Sequence, residues 1–291
     1  MDLKALLLTL STAKIDHIVL DAETSGLDPY GLRDRDPKKG YAPSAPARAV
    51  GWAIGLPLNP FRSFYVPIRH ELKVVMDDEE RAKERKRYRN LSVAVIGEII
   101  KVIEDRGLTI VNHHLKFDLH FLAADGFLPN EKKVKLEDTM LLAHILNETL
   151  DSYRHEYTLK YLAQRYAGVK MPLKDWVKDE HKRRKYVGGY QQFTIAELGP
   201  YAEDDVKTTW ALRQALYPRL TDPEAPWWGD EKQRELFEVE MQFLWVIRQM
   251  EENGMKIDRP YCLRSSIEIG SETTELLDTL QEMVGDPFFN P

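Results

Sequence analysis

The sequence predicts an α/β protein: a mixed sheet of short strands with helices on its faces, followed by a C-terminal helical extension. Three observations carry that expectation. Ile15–Leu20 and Val50–Leu56 are continuous apolar runs of buried-strand length, and Ser63–Ile68 follows as a third. Helical spacing then takes over from Leu91 to Glu104 through Val95, Ile99 and Ile103, stopped by Gly107. A short apolar run, Leu108–Val111, precedes a helical pattern at Leu115–Ala124, the alternation expected of a sheet with helices packed on it.

The remaining elements follow in order. Leu6-Leu7-Leu8 sits among polar neighbours and reads as a packed helix turn rather than a signal core. Tyr30–Arg48 contains Lys38-Lys39-Gly40 and Pro43-Ser44-Ala45-Pro46, forms no regular pattern and reads as a surface loop, with a mobile lid as the alternative. Helical patterns dominate from Asp138 to Tyr217. Asp222-Pro223-Glu224-Ala225-Pro226 breaks the chain, which places one domain at residues 1–220 and a helical segment at 221–291. In that segment Glu231–Glu252 and Ile267–Val284 are expected helices. Leu236, Val239, Phe243 and Val246 recur at helical spacing, and Trp245 and Ile247 broaden the stripe. A stripe that wide predicts an interface or a helix packed on the domain's own core.

Composition narrows the setting. The chain has 291 residues, 43% of them hydrophobic, and one cysteine, Cys262, which excludes an internal disulfide and suits a reducing cytoplasm. No apolar stretch is long enough to span a bilayer, so a soluble cytoplasmic protein without a membrane partner is expected. The net charge of −6 does not argue against a nucleic-acid partner, because acids gathered around metal ions change sign for an approaching phosphate. The bases cluster at Arg81–Arg89 and at Lys182-Arg183-Arg184-Lys185, each readable as a phosphate contact or a solvated helix face.

Chemistry is concentrated in three signatures: Asp21-Ala22-Glu23 after the first apolar run, Asp118 in His114-Leu115-Lys116-Phe117-Asp118, and Tyr201 with Asp205 in Tyr201-Ala202-Glu203-Asp204-Asp205. Strand residues two apart share a face, so Asp21 and Glu23 converge. Helix residues four apart also share one, so Tyr201 and Asp205 look into the same pocket. Buried carboxylates are costly unless something positive compensates them, and a divalent metal pair does so while supplying a catalyst. Oxygen ligands in that number suit Mg²⁺ or Mn²⁺, and no Cys/His cluster argues for zinc.

At these residues the chain resembles the DEDDy group of 3′–5′ exonucleases, most closely the proofreading domain of family A DNA polymerases. The resemblance runs from about Ile15 to Leu220, through Asp138–Ala143 and Leu159–Ala163. It continues more weakly through Glu238-Val239-Glu240 and Met250–Asp258, which resemble the passage into the polymerase and thumb region. It implies a ribonuclease H-like fold and two divalent ions, Mg²⁺ or Mn²⁺. Asp21 would bridge both, Glu23 and Asp205 would complete the water-activating site, and Asp118 would hold the second ion. Tyr201 and Glu23 would orient the attacking water. The implied substrate is a single-stranded or frayed DNA 3′ end, released as nucleoside 5′-monophosphates, with a polymerase domain as partner in cis or in trans. No polymerase activity is expected of this chain. Leu27 stands where the family places a wedging leucine. Phe117, Phe193, Arg154 and His155 are further candidates for substrate contact. His114 departs from the family's usual asparagine four residues before the second-motif aspartate, and the nearest asparagine is Asn112. A ribonuclease D-like RNA-trimming enzyme and a non-catalytic module bracing a polymerase are the competing readings.

Overall fold

The computed structural model describes residues 3–31, 46–71, 89–146, 156–186, 189–222, 224 and 231–286. Its sheet has five strands: β1 (His17–Thr24), β2 (Ala49–Leu56), β3 (Arg62–Pro67), β4 (Thr109–Asn112) and β5 (Lys135–Asp138), ordered β3-β2-β1-β4-β5. β1 pairs antiparallel with β2 and parallel with β4; β2–β3 is antiparallel and β4–β5 parallel. The expected mixed sheet is therefore present, in the ribonuclease H-like arrangement, with β1 at its centre.

Helices cover both faces, and the period-two alternation of the central strands separates two apolar clusters. Ile18 and Leu20 of β1, Trp52, Ile54 and Leu56 of β2, and Ile110 of β4 point to one side. There they meet α1 (Leu3–Thr12), α2 (Ala94–Arg106) and α3 (Leu115–Ala124) through Leu6, Leu10, Ile99, Ile103 and Leu119. Val19, Ala53 and Val111 point to the other side, against Leu198, Tyr201, Ala202 and Val206 of α7 (Ile195–Leu216). The Arg106 guanidinium closes the end of α1 by donating to the carbonyls of Leu10, Ala13 and Ile15.

Between these lie α4 (Thr139–Leu146), α5 (Leu159–Leu162), a π-turn at Ala163–Ala167, and α6 (Pro172–Arg183). Short α8 (Pro218–Thr221) follows α7, then α9 (Glu231–Asn253) and α10 (Arg259–Val284). β1 runs through the acidic motif to Thr24, as the convergence of Asp21 and Glu23 requires, with Asp21 opposite Ala53 and Glu23 opposite Gly51 on β2. One element was not expected. β5 had no counterpart in the reading of the sequence, since its four residues alternate charge with a single leucine and offer no apolar run.

The chain divides into two compact units, Met1–Gln249 and Met250–Pro291, with the division inside α9. In the first unit α9 buries Phe237, Met241 and Leu244 in the larger apolar cluster, which also takes in Leu216 of α7 and Leu220 of α8, while Leu236, Val239, Phe243 and Val246 stay exposed. The predicted stripe itself is thus exposed, and the helix packs on the domain through another face, the one that carries Phe237, Met241 and Leu244. In the second unit α10 begins at Arg259, earlier than expected, where the Asp258 side chain caps it by accepting the Tyr261 N–H at 3.0 Å.

Candidate active site

Alternation along β1 fixes where its acids go. Asp21 and Glu23 continue the face of Val19, toward α7, whereas Ala22 continues the face of Leu20. On α7 the four-residue spacing brings Tyr201 and Asp205 onto the side that meets the sheet, where both are buried. As a result, ligand oxygens of Asp21, Glu23 and Asp205 lie within 4.8 Å of one another. The helix is set by a capping box: the Thr194 hydroxyl accepts the Glu197 N–H at 3.2 Å, and the Glu197 carboxylate accepts the Thr194 N–H at 3.0 Å.

Asp118 reaches the same end of β1 from α3. It is buried, and its Oδ1 accepts the backbone N–H of Ala22 at 2.8 Å. Its helix is positioned by Asp138, at the end of β5, whose carboxylate accepts the N–H groups of His114 (3.0 Å), Leu115 (2.8 Å) and Met140 (2.8 Å). His114 is the left-handed residue that turns β4 into α3, at φ 67°. His113 is structural: its ring bonds Thr139 at 3.0 Å and the Tyr157 carbonyl at 2.9 Å, and burial pushes its pKa down to about 3.

The electrostatics are those of a site built for cations. Burial, then repulsion from Asp205, pushes Asp21 up to about 7, opposed by Lys174 and by the Asn112 amide. Glu23 is driven well above the usual carboxylate range by burial and by Asp21 and Asp205. Asp118 rises for the same first reason, although the Ala22 N–H opposes it. Asp205 is raised by burial while Lys174 and Tyr201 hold it back, and its Oδ1 is buried with no hydrogen-bond partner. An orphaned carboxylate oxygen facing two other acids is an arrangement that a hard divalent ion satisfies. The Tyr201 phenol is raised well above its ordinary pKa by burial and by Asp205, so it remains a protonated donor.

Two participants were not anticipated. Lys174, on α6, places Nζ 3.7 Å from Asp205 Oδ2. Tyr190 packs its ring 6.0 Å from that of Tyr201, because Gly189 and Tyr190 dock on the end of β1 by donating to the carbonyls of Ser25 and Thr24, each at 2.8 Å. A Cβ on Gly189 would stand 2.1 Å from the Thr24 oxygen, so only glycine permits this approach. Neither residue has a sequence signal: each is a single residue placed by tertiary contact.

The substrate-contact candidates divide. Leu27 is 69% exposed and so stands at the surface rather than in the core. Phe117 is half-buried, stacked 6.1 Å from His114 and tilted against Phe121 at 4.9 Å. Phe193 is fully buried and belongs to the core. Arg154 and His155 lie outside the described residues, as do positions 32–45 of the loop and 81–88 of the first basic cluster. In the second basic cluster Arg183 and Arg184 grip Glu180 at 2.6 and 2.8 Å, and Arg184 also holds Glu197 at 2.8 Å. Those two charges serve helix packing. A cleft of about 830 Å³ beside β5 and α9, lined by Lys135, Phe237, Met241 and Trp245, contains none of the site's acids.

A five-stranded mixed sheet whose central strand ends in paired acids, faced by a helix carrying a tyrosine and a third acid, defines a ribonuclease H-like nuclease. Residues 69–221, more than half of the chain, match the 3′–5′ exonuclease family of family A DNA polymerases. The chain belongs to that family, and so to the hydrolases that act on 3′ ends. The matched stretch includes Asp118, Tyr201 and Asp205, while Asp21 and Glu23 precede it.

DNA polymerase I of Pseudomonas aeruginosa is 24% identical over 274 residues, 94% of this chain and 27% of that protein. DNA polymerase I of Borreliella burgdorferi is 24% identical over 257 residues, 86% and 22% of the two chains. The DNA polymerase of Escherichia phage T5 is 30% identical over 129 residues, covering 41% and 15%. The chain therefore spans about a quarter of the length of the first two relatives. Among solved structures, Brucella melitensis NrnC bound to pGG shares the fold at a TM-score of 0.50 and 17% identity, covering 86% of this chain and 92% of that one. The POL domain of Pol1 from M. smegmatis, in complex with DNA primer–template and dNTP, gives 0.50 and 16% identity, covering 99% and 37%. No described helix is long and apolar enough to cross a membrane.

Proposed function

We propose that this chain hydrolyses DNA from the 3′ end with two divalent ions, Mg²⁺ or Mn²⁺, releasing nucleoside 5′-monophosphates as the proofreading part of a family A polymerase. The observation that carries the reading is the convergence of Asp21, Glu23 and Asp205 oxygens within 4.8 Å beside the buried, unpartnered Oδ1 of Asp205. Asp21, Glu23, Asp118 and Asp205 are the ligands. Bound there, the ions supply charge for the nucleophile and for the leaving oxygen.

The protein's own groups do the rest. Tyr201, held protonated, donates a hydrogen bond that fixes the direction of the attacking water, and Glu23 accepts from the same water. Leu27 and Phe117 offer apolar contact to terminal bases without reading sequence, as removal of any base requires, and His114 and Arg154 contact sugar or phosphate. Residues 1–220 carry the exonuclease site, with α9 packed on their core, and 221–291 correspond to the start of the polymerase and thumb region. The exposed face of α9 is the surface that a polymerase domain, in cis or in trans, would cover. A cytoplasmic location fits the single cysteine.

A second reading, an RNA-trimming exonuclease, is supported by the fold shared with a nuclease solved with pGG. Mg²⁺-dependent trimming of labelled single-stranded DNA against the matching RNA decides. Faster loss from the DNA 3′ end is expected; preference for the 2′-hydroxyl strand moves the assignment to RNA, and inertness on both leaves a non-catalytic brace.

A further inference from the structure

Lys174 is the cation that opposes the raised carboxyl pKa values at Asp21, Glu23 and Asp205 alike. Its placement is built into α6. Val177, one helical turn away, is fully buried in the apolar cluster that holds Tyr201, Ala202 and Val206, and the two helices are in contact, so the face that carries Lys174 lies against α7. The lysine side chain is 20% exposed and sits 3.7 Å from Asp205, a loose ion pair rather than a tight hydrogen bond. Nearby charges on its surroundings are already engaged: Lys160 holds Asp175 at 2.6 Å, and Arg183 and Arg184 hold Glu180.

We propose that Lys174 is a phosphate-positioning residue of this site, paired with Asp205 until a substrate phosphate at the carboxylates replaces that partner. The inference rests on the nuclease reading above. A lysine suits a change of partner, since its ammonium is a point charge on a flexible four-carbon stem with three rotatable donors. The 3.7 Å separation leaves the pair short of a tight hydrogen bond, and divalent charge at the same carboxylates takes over the compensation that Lys174 supplies. A phosphodiester arriving at the carboxylates brings the negative charge that replaces Asp205.

The two roles give one substitution effects of opposite sign. Lys174→Met removes a positive charge beside the ligands, so Mn²⁺ binding to the protein alone, read by electron paramagnetic resonance, tightens about tenfold. At saturating Mg²⁺ the same variant raises KM for a single-stranded oligodeoxynucleotide about tenfold, more than it lowers kcat. Lys174→Arg recovers most of the lost substrate affinity. A merely structural lysine would weaken both, and weaker Mn²⁺ binding or a wild-type KM in Lys174→Met overturns the proposal. Wild-type protein that binds no Mn²⁺ at millimolar concentration is a separate result, which removes the nuclease reading itself.

Discussion

Ala22 donates its backbone N–H to Asp118 Oδ1 at 2.8 Å, which ties the strand carrying two site acids to the helix carrying another. The side chain of Ala22 faces away from the site, yet its amide fixes the spacing of the first and second motifs. Because Asp138 in turn holds the first turn of α3, the position of Asp118 is set by β1 and β5 together.

Substitutions at Asp118 separate the tether from the charge. Asp118→Asn keeps an acceptor for the Ala22 amide, whereas Asp118→Ala leaves that N–H without it. Both are expected to lower Mg²⁺-dependent hydrolysis by more than about 10²-fold, through loss of a metal ligand. Only the alanine variant should also melt below wild type, since an abandoned buried donor costs about 1–3 kcal/mol. Equal melting temperatures for the two variants would show that the tether contributes nothing.

The raised carboxyl pKa values make stability depend on pH in a stated direction. Asp21, pushed up to about 7, is favoured in its protonated form by folding, and Glu23, Asp118 and Asp205 share that sign. Their contribution is present below the unfolded value near 4 and is lost as pH rises through the folded one. Metal-free protein should therefore lose melting temperature from pH 5 to 8. Glu137 and Asp16, both lowered, have the opposite sign and act at more acidic pH. Mg²⁺ should raise Tm by about 3 °C or more at pH 8 and by much less at pH 5. Asp21→Asn should raise the metal-free Tm at pH 8 while abolishing hydrolysis; a flat metal-free profile would contradict the electrostatic account.

Much of the site was legible before the structure, because strand and helix periods are rigid enough to converge acids two and four residues apart. Those rules put Asp21 with Glu23 and Tyr201 with Asp205. They say nothing about what meets a site from elsewhere in the chain, so Lys174 on α6 and the Gly189–Tyr190 docking went unseen. The fold shows the same limit. Apolar runs announced β1, β2 and β4, but β5 is held by pairing to β4 and by Met241 against the Asp138 N–H rather than by its own pattern.

Tyr201→Phe removes one hydroxyl from a buried ring and leaves the packing against Tyr190 in place. Since the phenol is a protonated donor and not a base, single-turnover hydrolysis is expected to slow by about 10–10²-fold, at the low end for positioned proton-transfer groups. Mn²⁺ affinity should stay near the wild-type value, because the carboxylates are intact. A wild-type rate would make the tyrosine structural; a large loss of Mn²⁺ binding would mean that it organises the ligands instead of the water.

The last prediction concerns where the chain can be cut. The break at Asp222–Pro226 suggests a boundary near Leu220, but α9 carries Phe237, Met241 and Leu244 into the same apolar cluster as β1 and α2. Truncation after Leu220 uncovers that part of the core, and each large buried side chain removed from a core costs about 2–5 kcal/mol. The shortened protein should unfold at lower denaturant or aggregate. Truncation after Gln249 keeps all three anchors and ends at the division between the compact units. That variant should melt within about 3 °C of the full chain and retain its Mg²⁺-dependent nuclease activity. The exposed stripe of Leu236, Val239, Phe243 and Val246 survives the second cut, so polar replacement there tests the interface without touching the core. Val239→Glu with Phe243→Ser should leave the melting temperature almost unchanged and improve solubility. If the Leu220 truncation is as stable as the Gln249 truncation, α9 is an appendage and its buried face contributes nothing to the nuclease fold.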